Sequence, residues 1–158
     1  FGASGRELDA FIDTPDIMPT LLGLCGLDVP ATVQGCDFSG YMQGGEDPSG
    51  GAALLQCPHP FGQWWPGVGG RSYRGLRTER YTYVRALEGP WLLYDNEVDP
   101  YQLNNLLGVA EYEEVRLELE EELGRRLAAL GDEFLPGPVY LQRWGYEVGA
   151  RGTVGYSN

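Results

Sequence analysis

The sequence contains no lysine: all 11 basic side chains of its 158 residues are arginine, set against 23 acids, for a formal charge of −12. A chain this acidic lacks the clustered positive surface that nucleic-acid backbones and anionic membranes require, so neither is expected as a partner. There is one histidine, His59, no Gly-x-Ser-x-Gly run and no glycine-rich loop ending in lysine. Triad hydrolysis and P-loop phosphoryl transfer therefore have no residues to use. No apolar run approaches the roughly 18 residues of a membrane span, and the first residues show neither a basic nor an apolar leader region. Internal repeats are absent.

Cysteine is scarce too. Cys25, Cys36 and Cys57 cannot all pair internally, and their spacing matches neither a zinc site nor a disulfide framework. Reduced thiols in a reducing, cytoplasmic compartment are the expectation. Cys25 falls on the apolar face of a predicted helix and is expected in the core rather than as a nucleophile.

What the chain does have is apolar material. It is 42% hydrophobic, with four Trp, ten Tyr and five Phe, enough for one core of domain size. Its 24 glycines and 11 prolines amount to about a fifth of the residues, against roughly 12% in average usage. Much of the length is therefore predicted to be loop, and Phe1-Gly-Ala-Ser-Gly-Arg6 itself reads like the middle of one, as if the chain were a piece of something longer.

Thr14-Pro15-Asp16 announces a helix by an N-cap hydroxyl, a proline at the first position and an acid in the first turn. Ile17, Met18, Leu21, Leu22 and Cys25 then share one face and Gly26 ends the segment, predicting an amphipathic helix over 15–25. Residues 27–51 are rich in Gly and Pro and read as loop with one short helical turn near Phe38–Met42. Ala52–Cys57 is a compact apolar run, the pattern of a buried strand. Prolines 58, 60 and 66 make the following segment a loop at a strand end.

Arg71–Leu76, Tyr81–Ala86 and Trp91–Tyr94 are β-rich runs joined by short connections, which predicts an antiparallel meander. Alternation puts Tyr81, Tyr83 and Arg85 on one face and Thr82 and Val84 on the other. Asp95, Glu97 and Asp99 lack the Gly and Glu of a calcium loop and read as a solvated turn between strand and helix. From Glu111 to Leu130, Tyr112, Val115, Leu119, Leu123, Leu127 and Leu130 recur every three or four residues, predicting a long helix with Glu113, Glu114, Glu118, Glu120, Glu121 and Glu122 on its solvated face. The tail, 136–158, has no periodicity and is expected to pack as an extended strap. The fold class is thus α+β, a short antiparallel sheet packed with a long C-terminal helix.

One cluster carries chemistry. His59, Trp64, Trp65, Arg71, Arg74 and Arg77 surround a loop at a strand end, where ligand sites of sheet proteins tend to lie. Arginine forks recognise sulfate, phosphate or carboxylate, and tryptophan faces stack on sugar rings. The six are candidates for a substrate rim, with no catalytic and no metal-binding residue in the chain. A non-catalytic module that binds an anion or a glycan is the alternative reading.

Three segments, in order, resemble the C-terminal region of the type I sulfatases, arylsulfatase and N-sulfoglucosamine sulfohydrolase-like members of the alkaline-phosphatase-like superfamily. They are Asp16-Ile-Met-Pro-Thr-Leu-Leu-Gly-Leu-Cys-Gly-Leu-Asp-Val-Pro30 followed by Gln34-Gly-Cys-Asp-Phe38; Tyr73-Arg-Gly-Leu-Arg-Thr-Glu-Arg-Tyr-Thr-Tyr-Val84; and Leu93-Tyr-Asp-Asn-Glu-Val-Asp-Pro-Tyr-Gln-Leu-Asn-Asn-Leu106. The resemblance implies that residues 1–66 end a large α/β domain, with rim loop 58–70, and that 71–135 form a small α+β subdomain. It implies a hydrolase of sulfate esters whose formylglycine and calcium lie in an N-terminal catalytic domain outside this chain, acting on a small sulfated substrate. Cys57-Pro58-His59-Pro60-Phe61 departs from the formylglycine motif Cys-x-Pro-x-Arg at its third and fifth positions, so Cys57 is not that nucleophile. Phosphodiesterases and phosphonate hydrolases of the superfamily share this C-terminal style and stay open as the alternative. An exposed apolar patch on helix 15–25 and strand 52–57 is expected where the absent domain docks.

Overall fold

The computed structural model describes residue 5 and residues 7–155, so most of the predicted opening loop lies outside the described residues. The chain divides into two compact units: residues up to Ala53 together with Arg77–Glu79, and Leu54–Leu76 together with residues from Arg80 onward.

In the first unit a single 3-10 turn, Thr14–Asp16, leads into helix α1, Ile17–Leu24. The cap is Asp13 rather than Thr14. Its carboxylate accepts from the Thr14 N–H at 2.7 Å, while Asp16 accepts from the Asp13 N–H at 2.7 Å. Asp16 also accepts from the Cys36 N–H at 2.7 Å, and the Thr20 hydroxyl accepts from the Phe38 N–H at 3.0 Å. These bonds fasten the helix to the start of helix α2, Ser39–Met42, near the predicted turn.

They also decide which side of α1 is covered, and the result reverses the predicted face. Pro19 and Thr20 are buried, whereas Ile17, Met18 and Leu21 are 51%, 47% and 58% exposed, and Cys25 is exposed rather than in the core. Periodicity finds an apolar face but does not say whether the partner is in the same chain.

A four-stranded antiparallel sheet has the order β1-β2-β3-β4, with β1 at Ala52–Cys57, β2 at Tyr73–Thr78, β3 at Tyr81–Ala86 and β4 at Gly89–Asp95. The predicted meander is therefore present, and β1 is its fourth strand. Two-residue connections link β2 to β3 and β3 to β4, as tight hairpins require. Tyr81 pairs with Asp95 and Val84 with Leu92, but Arg85 pairs with Pro90, so Trp91 is passed over as a β-bulge. The loop between β1 and β2 contains two 3-10 turns, Gly62–Trp64 and Pro66–Val68.

Helix α3, Glu113–Leu130, follows a 3-10 turn at Ala110–Tyr112 and buries Leu119, Leu123 and Leu127, as the periodicity requires. Together with Leu76, Tyr83, Val84, Ala86 and Leu93 these residues form the core of the second unit. Tyr83 and Arg85 of β3 both donate to Glu120, which places them on one face as predicted. Glu120 is accordingly half-buried and is not part of the solvated face. Burial, and then the neighbouring Glu120 carboxylate, push the Tyr83 phenol well above its usual range. Asp95 departs from expectation in the same way. It is 1% exposed and accepts from Arg80 at 2.7 Å and from the Glu97 N–H at 3.1 Å, so it holds the turn from within. The tail contains helix α4, Gly137–Trp144, where an extended strap was expected. Pro136 and Pro138 fit a helix start, where no N–H is needed.

Candidate functional site

The rim loop is built by close packing. The Trp64 N–H donates to the Phe61 carbonyl at 3.2 Å and the Gly70 N–H to the Trp65 carbonyl at 3.2 Å. A Cβ on Gly70 would stand 1.9 Å from the Trp64 carbonyl oxygen, so this turn closes only on glycine. The Trp65 ring lies over Gly67 within its own loop. Trp64 is turned outward and is 39% exposed.

Trp64 meets two residues of the sheet. Its ring stacks on Trp91 with centroids 6.4 Å apart and planes 11° from parallel, and meets Tyr73 edge-on at 5.9 Å. Tyr73 and Trp91 are themselves 6.0 Å apart. The Arg71 guanidinium sits over the Trp91 ring, 4.8 Å from its centroid, and Arg71 is exposed.

His59 occupies a different corner. It is half-buried between two backbone segments of the tail: a Cβ on Gly137 would stand 2.4 Å from its Nδ1, and one on Gly152 would stand 2.8 Å from its Nε2. The Gly62 N–H donates to the Arg151 carbonyl at 2.9 Å, tying tail and rim loop together. The Nδ1 atom is buried without a hydrogen-bond partner among the described residues.

Arg74 lies inside the second unit. It is 1% exposed; its guanidinium forks onto Asp132, donates to the Tyr73 carbonyl at 2.9 Å and lies over the Phe134 ring at 4.8 Å. Those donors are committed to the fold, so Arg74 is not an exposed rim contact. Arg77, half-buried on β2, falls in the first unit. Of the six sequence candidates the structure therefore brings Trp64 and Arg71 to the same ring, that of Trp91, holds His59 and Trp65 in the same loop, and gives Arg74 a structural task. Reading the sequence as strands overlooked Tyr73 and Trp91. The available signal was Pro90, placed by the sequence just before the run Trp91–Tyr94 and found inside β4, since proline within a strand marks an edge or a bulge.

Among the described residues no three His, Cys, Asp or Glu side chains come together in an arrangement able to hold a metal ion. Cys57 lacks the formylglycine context, and burial pushes its thiol up against the weaker pull of Arg74, which disfavours the reactive thiolate. No helix among the described residues is long and apolar enough to cross a membrane.

Comparison with known proteins places this architecture. The chain belongs to the family described as N-sulphoglucosamine sulphohydrolase, C-terminal, whose model matches residues 3–129. An ulvan-active sulfatase of Formosa agariphila is 41% identical over 92% of the chain and 28% of its own length. Among solved structures, a 2-O GAG sulfatase aligns over 75% of this chain and 25% of that one, at 25% identity and a TM-score of 0.63. A phosphonate monoester hydrolase of Agrobacterium radiobacter aligns over 82% of this chain and 27% of that one, at 28% identity and a TM-score of 0.61. The fold is thus the C-terminal region of the alkaline-phosphatase-like sulfatases. The chain spans under a third of the length of the curated relatives it matches.

Proposed function

We propose that this chain completes a sulfatase acting on a sulfated carbohydrate. Its residues 1–66 end the large α/β domain, residues 71–135 form the small subdomain, and the rim loop borders the substrate pocket. The likeness to the ulvan-active sulfatase along nearly the whole chain carries this reading. The formylglycine and calcium that hydrolyse the ester belong to an N-terminal domain, and this chain supplies binding and shape. The outward face of α1, with Ile17, Met18 and Leu21 exposed, supports docking of that domain, because a lone unit gains nothing from leaving such a face in water. At the rim, Trp64 and Arg71 have the exposure and chemistry to touch substrate, His59 and Trp65 hold the loop that carries them, and Arg74 anchors β2 to Asp132.

The test is release of inorganic sulfate by the intact protein, measured by ion chromatography on ulvan oligosaccharides and on 4-nitrocatechol sulfate. Release from either supports the reading, and release from neither overturns it. The phosphonate monoester hydrolase likeness, which reaches further along the chain than the sulfatase structure, favours a second reading in which the ester is a phosphonate.

A further inference from the structure

Three observations converge on the end of the sheet in the second unit. First, Trp91 occupies the bulge of β4, and a bulge re-aims a side chain at the expense of a ladder position. Secondly, the rim loop closes on glycine in a way that turns Trp64 outward and nearly parallel to Trp91, with Tyr73 closing one edge. Thirdly, in a chain of net charge −12, the exposed Arg71 lies over the Trp91 ring and forms no ion pair among the described residues.

A tryptophan pair packed only for stability has no need of an uncompensated guanidinium at its mouth. Aromatic faces bind the apolar C–H faces of sugar rings. A guanidinium held against such a face presents its fork to a sulfate or carboxylate, and stacking fixes its plane so that little entropy is lost when the anion arrives.

We propose that Trp64, Tyr73, Trp91 and Arg71 form a subsite for an anionic sugar unit, one bearing sulfate or a carboxylate, with the ring lying on the tryptophans and the anion on Arg71. The proposal rests on the carbohydrate sulfatase reading above and extends it to a residue group that recognises the polymer rather than the reacting ester. Trp91 and Arg71 are binding residues and perform no chemistry.

The experiment titrates the intact protein with ulvan oligosaccharides and with the same oligosaccharides after desulfation and carboxyl reduction, following tryptophan fluorescence. Wild type is expected to bind the anionic probe at least tenfold more tightly than the neutral one. Arg71→Gln, which changes an exposed side chain and leaves the fold intact, is expected to abolish that preference. Trp91→Ala is expected to weaken both probes about tenfold, and Trp91→Phe to recover most of the loss. Unchanged affinities for Arg71→Gln and Trp91→Ala would overturn the subsite. If the variants lose binding while wild type releases no sulfate from any ester, the subsite stands and the sulfatase reading fails; if wild type releases sulfate and the variants bind normally, the reverse holds.

Discussion

Arg74 and Asp132, 58 residues apart in sequence, meet as a two-pronged ion pair beneath the Phe134 ring. Asp132 also accepts from the Tyr140 hydroxyl at 2.7 Å and from the Phe134 N–H at 2.8 Å. One carboxylate thus ties β2, the end of α3 and α4 together. Removing either partner leaves a charge buried without compensation, which costs about 3–5 kcal/mol. Arg74→Ala and Asp132→Ala are each expected to lower stability by about that much in urea denaturation. A change within 1 kcal/mol would contradict the structural role given to Arg74.

Acid acts on this carboxylate and on Asp95. At Asp132 burial pushes the carboxyl up, but the bonds from Arg74, Tyr140 and Phe134 together outweigh it, leaving it below its ordinary 3.8. At Asp95 the bond from Arg80 is the largest cause, and it too lies below 3.8. A carboxyl lowered in the folded state is the weaker proton acceptor there, so its contribution is complete above the unfolded value and is lost as pH falls through the folded one. The melting temperature is expected to be level from pH 7 to about 5 and to fall below about 4. Asp95→Asn should lower the neutral-pH value and flatten the acid limb, which circular dichroism at a series of pH values checks.

His59 and Gly137 constitute a second coupled pair. A methyl group on Gly137 meets Nδ1 of His59 at 2.4 Å and the Pro58 carbonyl at 2.8 Å. Overpacking of this kind costs typically about 1–3 kcal/mol. Gly137→Ala is expected to destabilise by that amount, and addition of His59→Ala to restore part of it, a coupling that a double-mutant cycle measures. Strict additivity would mean that the two residues do not touch.

Two leucines of α3 provide an internal contrast. Leu123 is 1% exposed and Leu117 is 54% exposed. Leu123→Ala is expected to cost about 2–5 kcal/mol through the cavity it leaves, while Leu117→Ala stays within about 0.5 kcal/mol. Equal effects in thermal unfolding would contradict the packing of this helix on the sheet.

The meander and α3 were legible because their signals are local: β-rich runs stand a few residues apart, and Leu119, Leu123 and Leu127 recur at helical spacing. Outcomes set at long range were not. Nothing near Arg74 reveals that its partner is Asp132, and nothing in the spacing of Ile17, Met18 and Leu21 says that the chain covers the other side of their helix. Helix α4 was hidden by its own prolines and glycine, although proline at a helix start is favourable. In the candidate site Trp64 and Arg71 were found from residue type and loop position. Tyr73 and Trp91 join them only once the bulge and the strand order are known.

The measurement that most directly tests the account is kcat/KM of the intact protein for 4-nitrocatechol sulfate beside that for phenyl phenylphosphonate, under identical conditions. A sulfatase is expected to turn over the sulfate ester with the higher value. A protein that hydrolyses the phosphonate and leaves the sulfate intact would contradict the assignment, and the rim would then have to be read for a different ester.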